Sequence, residues 1–322
     1  MGEPTLETFL RPAIYVFSLV LLGIAIRVIT NRIKILARPA KIGFRFLNVF
    51  VLWVVLPIVI FISIARYNLT QILGFGNALV LAFIGMGVCF VSAVALSHLV
   101  KDDRKTTIAI TMNSAFMNVT YLGFPIVFAL VGGGGLGPAA LFAMGIGIPH
   151  LIFGVMLASS AAKKRVTLGF VVENVVTFPA AFALIVALLF VGFGAAIPDV
   201  ARNTFDIHLA QPFFALMLLL VGYQMPLVSP RKYAGALATV GALRFLVCPL
   251  VTYLTILVLG LSVGTDITPK PAMIQAIMPP AVFNMILAYN YKLDLKLYGA
   301  LVFYPTLVSL FIALPVLYFL IF

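Results

Sequence analysis

The sequence predicts an all-α polytopic membrane protein, with ten transmembrane helices forming two five-helix halves of opposite orientation. Three observations predict it. Hydrophobic residues make up 63% of the 322-residue chain and charged residues 9%, whereas a soluble domain carries about 25% charged residues. The apolar runs are each near the ~20 residues that a spanning helix needs, and they do not alternate as barrel strands would. The basic residues crowd into alternate loops, as they do in polytopic proteins.

The elements follow in order. The opening "MGEPTLETFL" is acidic and lacks the basic region of a signal peptide. Its Met-Gly start fits a myristoylation pattern only loosely. Span 1 is predicted at 11–30, and a basic loop separates it from span 2 at 44–65. Span 3 covers 72–98. Span 4, at 106–131, is interrupted by "MNVTYLGFP" at 117–125. The glycines of "GGGGLGP" at 132–138 make a flexible hairpin; a phosphate loop would need a following Lys-Ser/Thr. Span 5 is 137–162, with Pro149 and His150 at its middle. The stretch "AAKKRVTLG" at 161–169 joins the halves. Span 6 (168–193), span 7 (207–229) and span 8 (235–260) come next. Span 9, at 270–290, holds "AIMPPAVFNMILAYNY", and span 10 closes the chain at 295–321.

Charge sets the expected orientation. Arg27, Arg32, Lys34, Arg38, Lys41 and Arg45 follow span 1, and Lys101, Arg104 and Lys105 follow span 3. Lys163, Lys164 and Arg165 follow span 5, Arg231 and Lys232 span 7, and Lys292 and Lys296 span 9. Only Arg11, Arg66, Arg202 and Lys270 lie on the other side. That asymmetry predicts a cell membrane protein with both termini outward. It also accounts for the net charge of +12 without nucleic acid as a partner; the lipid bilayer is the partner implied. Cys89 and Cys248 have no metal-like spacing, so no metal and no cofactor are expected. Five spans per half is odd. If residues 1–162 and 163–322 descend from one unit, the second enters the membrane inverted, as in many secondary transporters.

The two interrupted spans are counterparts in the two halves. Span 4 carries Asn113, Asn118, Thr120, Tyr121, Gly123 and Pro125, and span 9 carries Gln275, Pro279, Pro280 and Asn284. Proline removes a backbone donor and clashes with the preceding turn. Freed backbone groups in hydrocarbon are tolerated only inside protein or beside a water-filled cavity. A half-helix starting after a break presents N–H groups and a positive dipole end, which suits an anion. Gly123, Pro125, Pro279 and Pro280 are the expected breaks. Asn113, Asn118, Thr120, Tyr121, Gln275 and Asn284 are the expected substrate-binding residues. Pro57, Pro149, Pro179, Pro249, Pro305 and Pro315 are expected only to kink their helices.

These motifs resemble the auxin efflux carrier family, within the superfamily that includes the bile acid:sodium symporters. "NVTYLGFP" at 118–125 is similar to its fourth span, "QPFFALMLLLVGYQM" at 211–225 to its seventh and "AIMPPAVFNMILAYNYKLD" at 276–294 to its ninth. The long loop of the larger plant carriers is absent, as in a short prokaryotic-type member. The resemblance implies that spans 4 and 9 cross at the substrate site. It implies a scaffold of spans 1, 2, 6 and 7, through which a homodimer would form, and a transport domain of spans 3–5 and 8–10 moving as an elevator. Asn284 stands where plant members have a second proline.

Ionisable residues inside spans are functional candidates. Glu173 and Arg244 lie at similar depths in spans 6 and 8. They can pair with each other, Arg244 can meet a substrate carboxylate, or each can snorkel to the interface. His150 can carry a coupled proton or be a satisfied buried imidazole. Taken together, the sequence predicts a secondary or facilitative transporter exporting a small organic anion, coupled to H+, Na+ or neither. A sodium-coupled importer of the bile acid type is the alternative, and a receptor using a transporter fold is a third. No HExxH or Ser/His constellation points to an enzyme.

Overall fold

The computed structural model describes residues 6–164 and 167–321. The Met-Gly opening and Arg165 and Val166 of the joint lie outside them. The chain is built from helices, and the one extended pairing among the described residues is a β-bridge between Met117 and Pro280. Among the described residues, seven helices are long and apolar enough to cross a membrane: Phe9–Arg32, Ile35–Ala65, Leu69–Leu99, Gly133–Ala161, Asp199–Gln224, Arg231–Val258 and Leu295–Ile321. They correspond to predicted spans 1, 2, 3, 5, 7, 8 and 10.

The other three predicted spans are each split. Span 4 is a helix Arg104–Ala115, an extended Phe116–Asn118, a π-helical turn Val119–Gly123 and a second half-helix Phe124–Val131. Span 9 is Pro269–Ala276, a non-helical stretch, and Phe283–Asn290. Span 6 is Leu168–Val176 and Pro179–Gly192, parted at Thr177 and Phe178. Its break was expected to be only a kink. Phe178 is extended (φ −71°, ψ 116°) because the ring of Pro179 disfavours a helical residue before it.

Helix packing is heaviest within two groups, which also touch each other where spans 1 and 7 meet span 4 and span 2 meets span 5. Span 1 lies along span 7, and span 2 along span 6. Spans 3, 4, 5, 8, 9 and 10 pack on one another, with span 3 touching spans 4, 5 and 8. Spans 1 and 7 meet backbone to backbone: a Cβ on Gly222 would lie 2.0 Å from the Val20 carbonyl oxygen, and one on Gly23 2.3 Å from that of Leu219. Where the second group reaches the first at one end of the molecule, the glycine hairpin after span 4 rests on the ends of spans 2 and 7. Arg66 and Asp206 form a bidentate pair there at 2.9 and 3.2 Å, and the Tyr67 hydroxyl donates to the Gly134 carbonyl at 2.5 Å. Gly133 and Gly137 sit against that pair and that ring, where any Cβ would collide.

Candidate functional site: the crossing of two broken helices

The breaks in spans 4 and 9 meet. The Asn118 N–H donates to the Pro279 carbonyl at 2.8 Å, and the Ala281 N–H donates to the Phe116 carbonyl at 2.9 Å. Two antiparallel backbone segments thus satisfy each other where neither has a helical partner, which the apolar surroundings require. Pro279 and Pro280 lie in this segment. In span 4 the opening falls at Phe116–Asn118, upstream of the expected Gly123 and Pro125. Gly123 has helical dihedrals (φ −63°, ψ −49°), and its N–H reaches back to the Asn118 carbonyl at 3.1 Å in a π-helical bond. Pro125 sits in the first turn of the second half-helix, where its missing N–H costs no intrahelical bond.

The crossing separates two kinds of helix end. The first half-helices of spans 4 and 9 arrive with their C-terminal carbonyls; the second half-helices leave with their N-terminal N–H groups. The N-terminal side faces a cavity of about 370 Å³ between the two helix groups. Its polar lining comes from Asn48, Asn118, Thr120, Tyr121, His150 and Gln224, joined by Thr177 of the span 6 break; Phe178, Phe283, Met144 and Ile286 give it apolar walls. No Asp, Glu, Lys or Arg lines it among the described residues. Asn48 of span 2 accepts from Gln224 of span 7 at 3.0 Å and from the Tyr121 hydroxyl at 3.3 Å. The Asn118 Nδ2 is buried and has no hydrogen-bond partner, a costly state for an amide in the interior.

A buried amide chain stands behind the cavity wall. His150 Nε2 lies 2.7 Å from Asn284 Oδ1. Asn284 donates through Nδ2 to the Met112 carbonyl and to Asn113 Oδ1, both at 3.2 Å. Asn113 in turn donates to the Ala109 carbonyl at 2.8 Å. Because Asn284 Nδ2 is the donor in both of its bonds, its Oδ1 is the acceptor for His150, which places the imidazole proton on Nε2. The ring is stacked on Phe116 (4.2 Å, 8°) and edge-on to Phe283 (5.0 Å, 84°).

The C-terminal side of the crossing holds Arg244, whose side chain is fully buried. Its guanidinium donates to the carbonyls of Ala276 (2.7 Å), Met278 (3.0 and 3.2 Å) and Ser114 (3.2 Å), and to Met117 Sδ (3.3 Å). Glu173 is exposed on span 6 and Arg244 is fully buried, so the pairing of the two, one of the alternatives, is not formed. Arg244 also stays out of the cavity lining. Three backbone carbonyls and the Met117 sulfur accept from it, so in this state the guanidinium is engaged by the two broken spans and does not face the cavity.

Of the residues expected at the substrate, Asn118, Thr120 and Tyr121 line the cavity, and so does His150. Asn113 and Asn284 lie behind it. Gln275 is buried and donates to the Ala139 carbonyl at 3.0 Å, tying span 9 to span 5. Asn48, Gln224 and Thr177 were missed. Their signal in the sequence was an amide or hydroxyl inside a long apolar run, the same signal that marked Asn118.

Comparison with known sequences finds relatives named as transporters. An uncharacterized transporter of Methanothermobacter thermautotrophicus is 25% identical over 274 residues, covering 84% of this chain and 86% of its own. The uncharacterized transporter MJ1031 of Methanocaldococcus jannaschii is 22% identical over 278 residues, covering 83% and 87%. Residues 40–318 match the family described as membrane transport protein. That match takes in both broken helices and every residue that lines the cavity between them, and the chain is an integral membrane protein belonging to the membrane transport protein family.

Proposed function

We propose that the protein is a secondary transporter for a small organic anion with an apolar body, such as a monocarboxylate, and that it exports this cargo across the cell membrane. The observation that carries the reading is the unpartnered Asn118 amide. It stands at the start of the second half of span 4, beside a cavity lined by amides, hydroxyls and apolar side chains and by no carboxylate. A helix N-terminus carries roughly half a positive charge, so two of them with an amide donor suit one carboxylate without a fixed basic residue. The volume, about 370 Å³, is at the small end of ligand pockets, and the apolar walls suit a hydrocarbon or aromatic body.

The transport step would move spans 3–5 and 8–10 against spans 1, 2, 6 and 7. The packing supports that division, since spans 1 with 7 and 2 with 6 form pairs that exchange under an inverted-repeat relation. The cavity is bounded by both groups: Asn48, Thr177 and Gln224 on one side, Asn118 and His150 on the other. Moving one group past the other would therefore change the cavity's exposure. With the basic loops on the cytoplasmic side, both termini face outward.

The test is binding of a panel of monocarboxylates to purified protein by thermal shift, followed by counterflow in vesicles. A ligand that binds the folded state raises its melting temperature. Asn118→Ala should weaken binding by roughly 10- to 100-fold, the loss of one hydrogen bond to a charged group of about 1.5–3 kcal/mol. Asn118→Asp should abolish it by placing a negative charge against the anion. An Asp variant that binds the same ligand as well as wild type would show that the cargo is not held there as an anion.

A further inference from the structure

We infer that Arg244 is a built-in cation that holds the crossing together, in the place where a sodium-coupled carrier would bind its ion, and that the protein therefore assembles this site without sodium. Broken-helix carriers coordinate coupling cations with unwound carbonyls and half-helix C-termini. Here the same groups are engaged by one side chain. Ser114 lies at the end of the first half of span 4; Ala276 and Met278 lie at and just past the end of the first half of span 9. All three carbonyls accept from the Arg244 guanidinium.

Charge accounts for the arrangement. Each helix C-terminus carries about half a negative charge, so two converging ends total roughly one, which the guanidinium matches. No acidic side chain occurs anywhere in 104–131 or 269–290, so the backbone is the counter-charge. The planar fork of arginine spreads its donors over several acceptors at fixed angles, and here it joins two half-helices from different halves of the chain. The span 8 segment that bears it, Leu243–Val247, is a π-helical turn. Arg244 is thus a positioning residue: it fixes the carbonyl ends, and through them the N-terminal ends that face the cavity on the other side of the crossing. The inference stands whatever the cargo, because each readout below is taken on empty protein.

The experiment measures the melting temperature of purified protein in sodium, potassium and choline chloride at equal ionic strength, for wild type, Arg244→Ala, Arg244→Lys and Arg244→Gln. Wild type should melt at the same temperature in all three salts. A saturable rise specific to sodium would overturn the inference. Arg244→Ala should melt lower and should recover in low-millimolar guanidinium, far below denaturing concentrations, while equal sodium chloride does less and wild type does not respond. Failure of guanidinium to raise it would also overturn the inference. If the alanine variant does not fold, the other two decide. Arg244→Lys keeps the positive charge and should retain more of the wild-type melting temperature than neutral Arg244→Gln, and equal losses would mean that packing, not charge, is what Arg244 contributes.

Discussion

His150 is the residue at which proton coupling would show. It lines the cavity, and its Nε2 contacts Asn284 at 2.7 Å, so a second proton on the ring would go to Nδ1 and leave that hydrogen bond intact. Glutamine at this position can still donate to Asn284 but cannot take up a proton. If transport carries a proton here, His150→Gln should flatten the dependence of uptake on pH while the protein remains folded. An unchanged pH profile, measured in vesicles with an imposed gradient, would move the coupling site elsewhere. Asn118 and Asn284 look equivalent in sequence, one in each broken span, but the structure gives them different work. Asn118 faces the cavity with a free donor, while Asn284 spends its amide on Met112, Asn113 and His150. The difference follows from where each break falls relative to its asparagine, which no residue count reveals.

At the scale of elements, prolines and π-helical turns occur together. The π-helical turns Val51–Val55, Val119–Gly123, Leu243–Val247 and Ser309–Ala313 are each followed two residues later by a proline, namely Pro57, Pro125, Pro249 and Pro315. A proline ring clashes with the carbonyl four residues back, and widening the preceding turn moves that carbonyl away. The helices thus stay continuous through Pro57, Pro249 and Pro315. Span 6 does not: Pro179 starts a new helix, and the gap before it lines the cavity. A single proline in an apolar run has the same appearance in both cases, so this break was not legible, whereas the two prolines of span 9 were. The packing of spans 1 and 7 yields a further expectation. Since a Cβ on Gly222 would meet the Val20 carbonyl oxygen at 2.0 Å, Gly222→Ala must push two backbones apart. Overpacking of this kind costs about 1–3 kcal/mol. A lower melting temperature should result, with a larger drop for Gly222→Leu, whereas Gly235→Ala, at a position with open space around it, should melt like wild type.

On the scale of the whole molecule, the apolar spans, their interruption and the charge asymmetry were readable because each is a property of neighbouring residues. The site was only half readable. Asn48, Tyr121 and Gln224 meet across intervals of 73 and 176 residues, and a single sequence does not tell which polar residues of distant spans will face one another. The carbonyls around Arg244 were invisible for another reason: every residue has one, and only the fold decides which are left without a helical partner.

The glycine hairpin gives the molecule a handle outside its core. At Gly133 the hairpin backbone lies against the side chains of Arg66 and Asp206, where a Cβ would come within 2.5 Å of both, so the hairpin and the ends of spans 2 and 7 touch with no side chain on the hairpin's part. A valine at that point would act as a wedge driven between them. It would raise the energy of this one arrangement while leaving the cavity chemically untouched. Gly133→Val should therefore alter how fast a maleimide labels a Thr120→Cys probe in protein whose native Cys89 and Cys248 are replaced by serine, while the affinity of a bound carboxylate changes only through the altered population. If labelling keeps its wild-type rate, the hairpin merely connects two spans. If it changes, a part-buried contact at Gly133, 15 residues along the chain from Asn118, sets how open the cavity is.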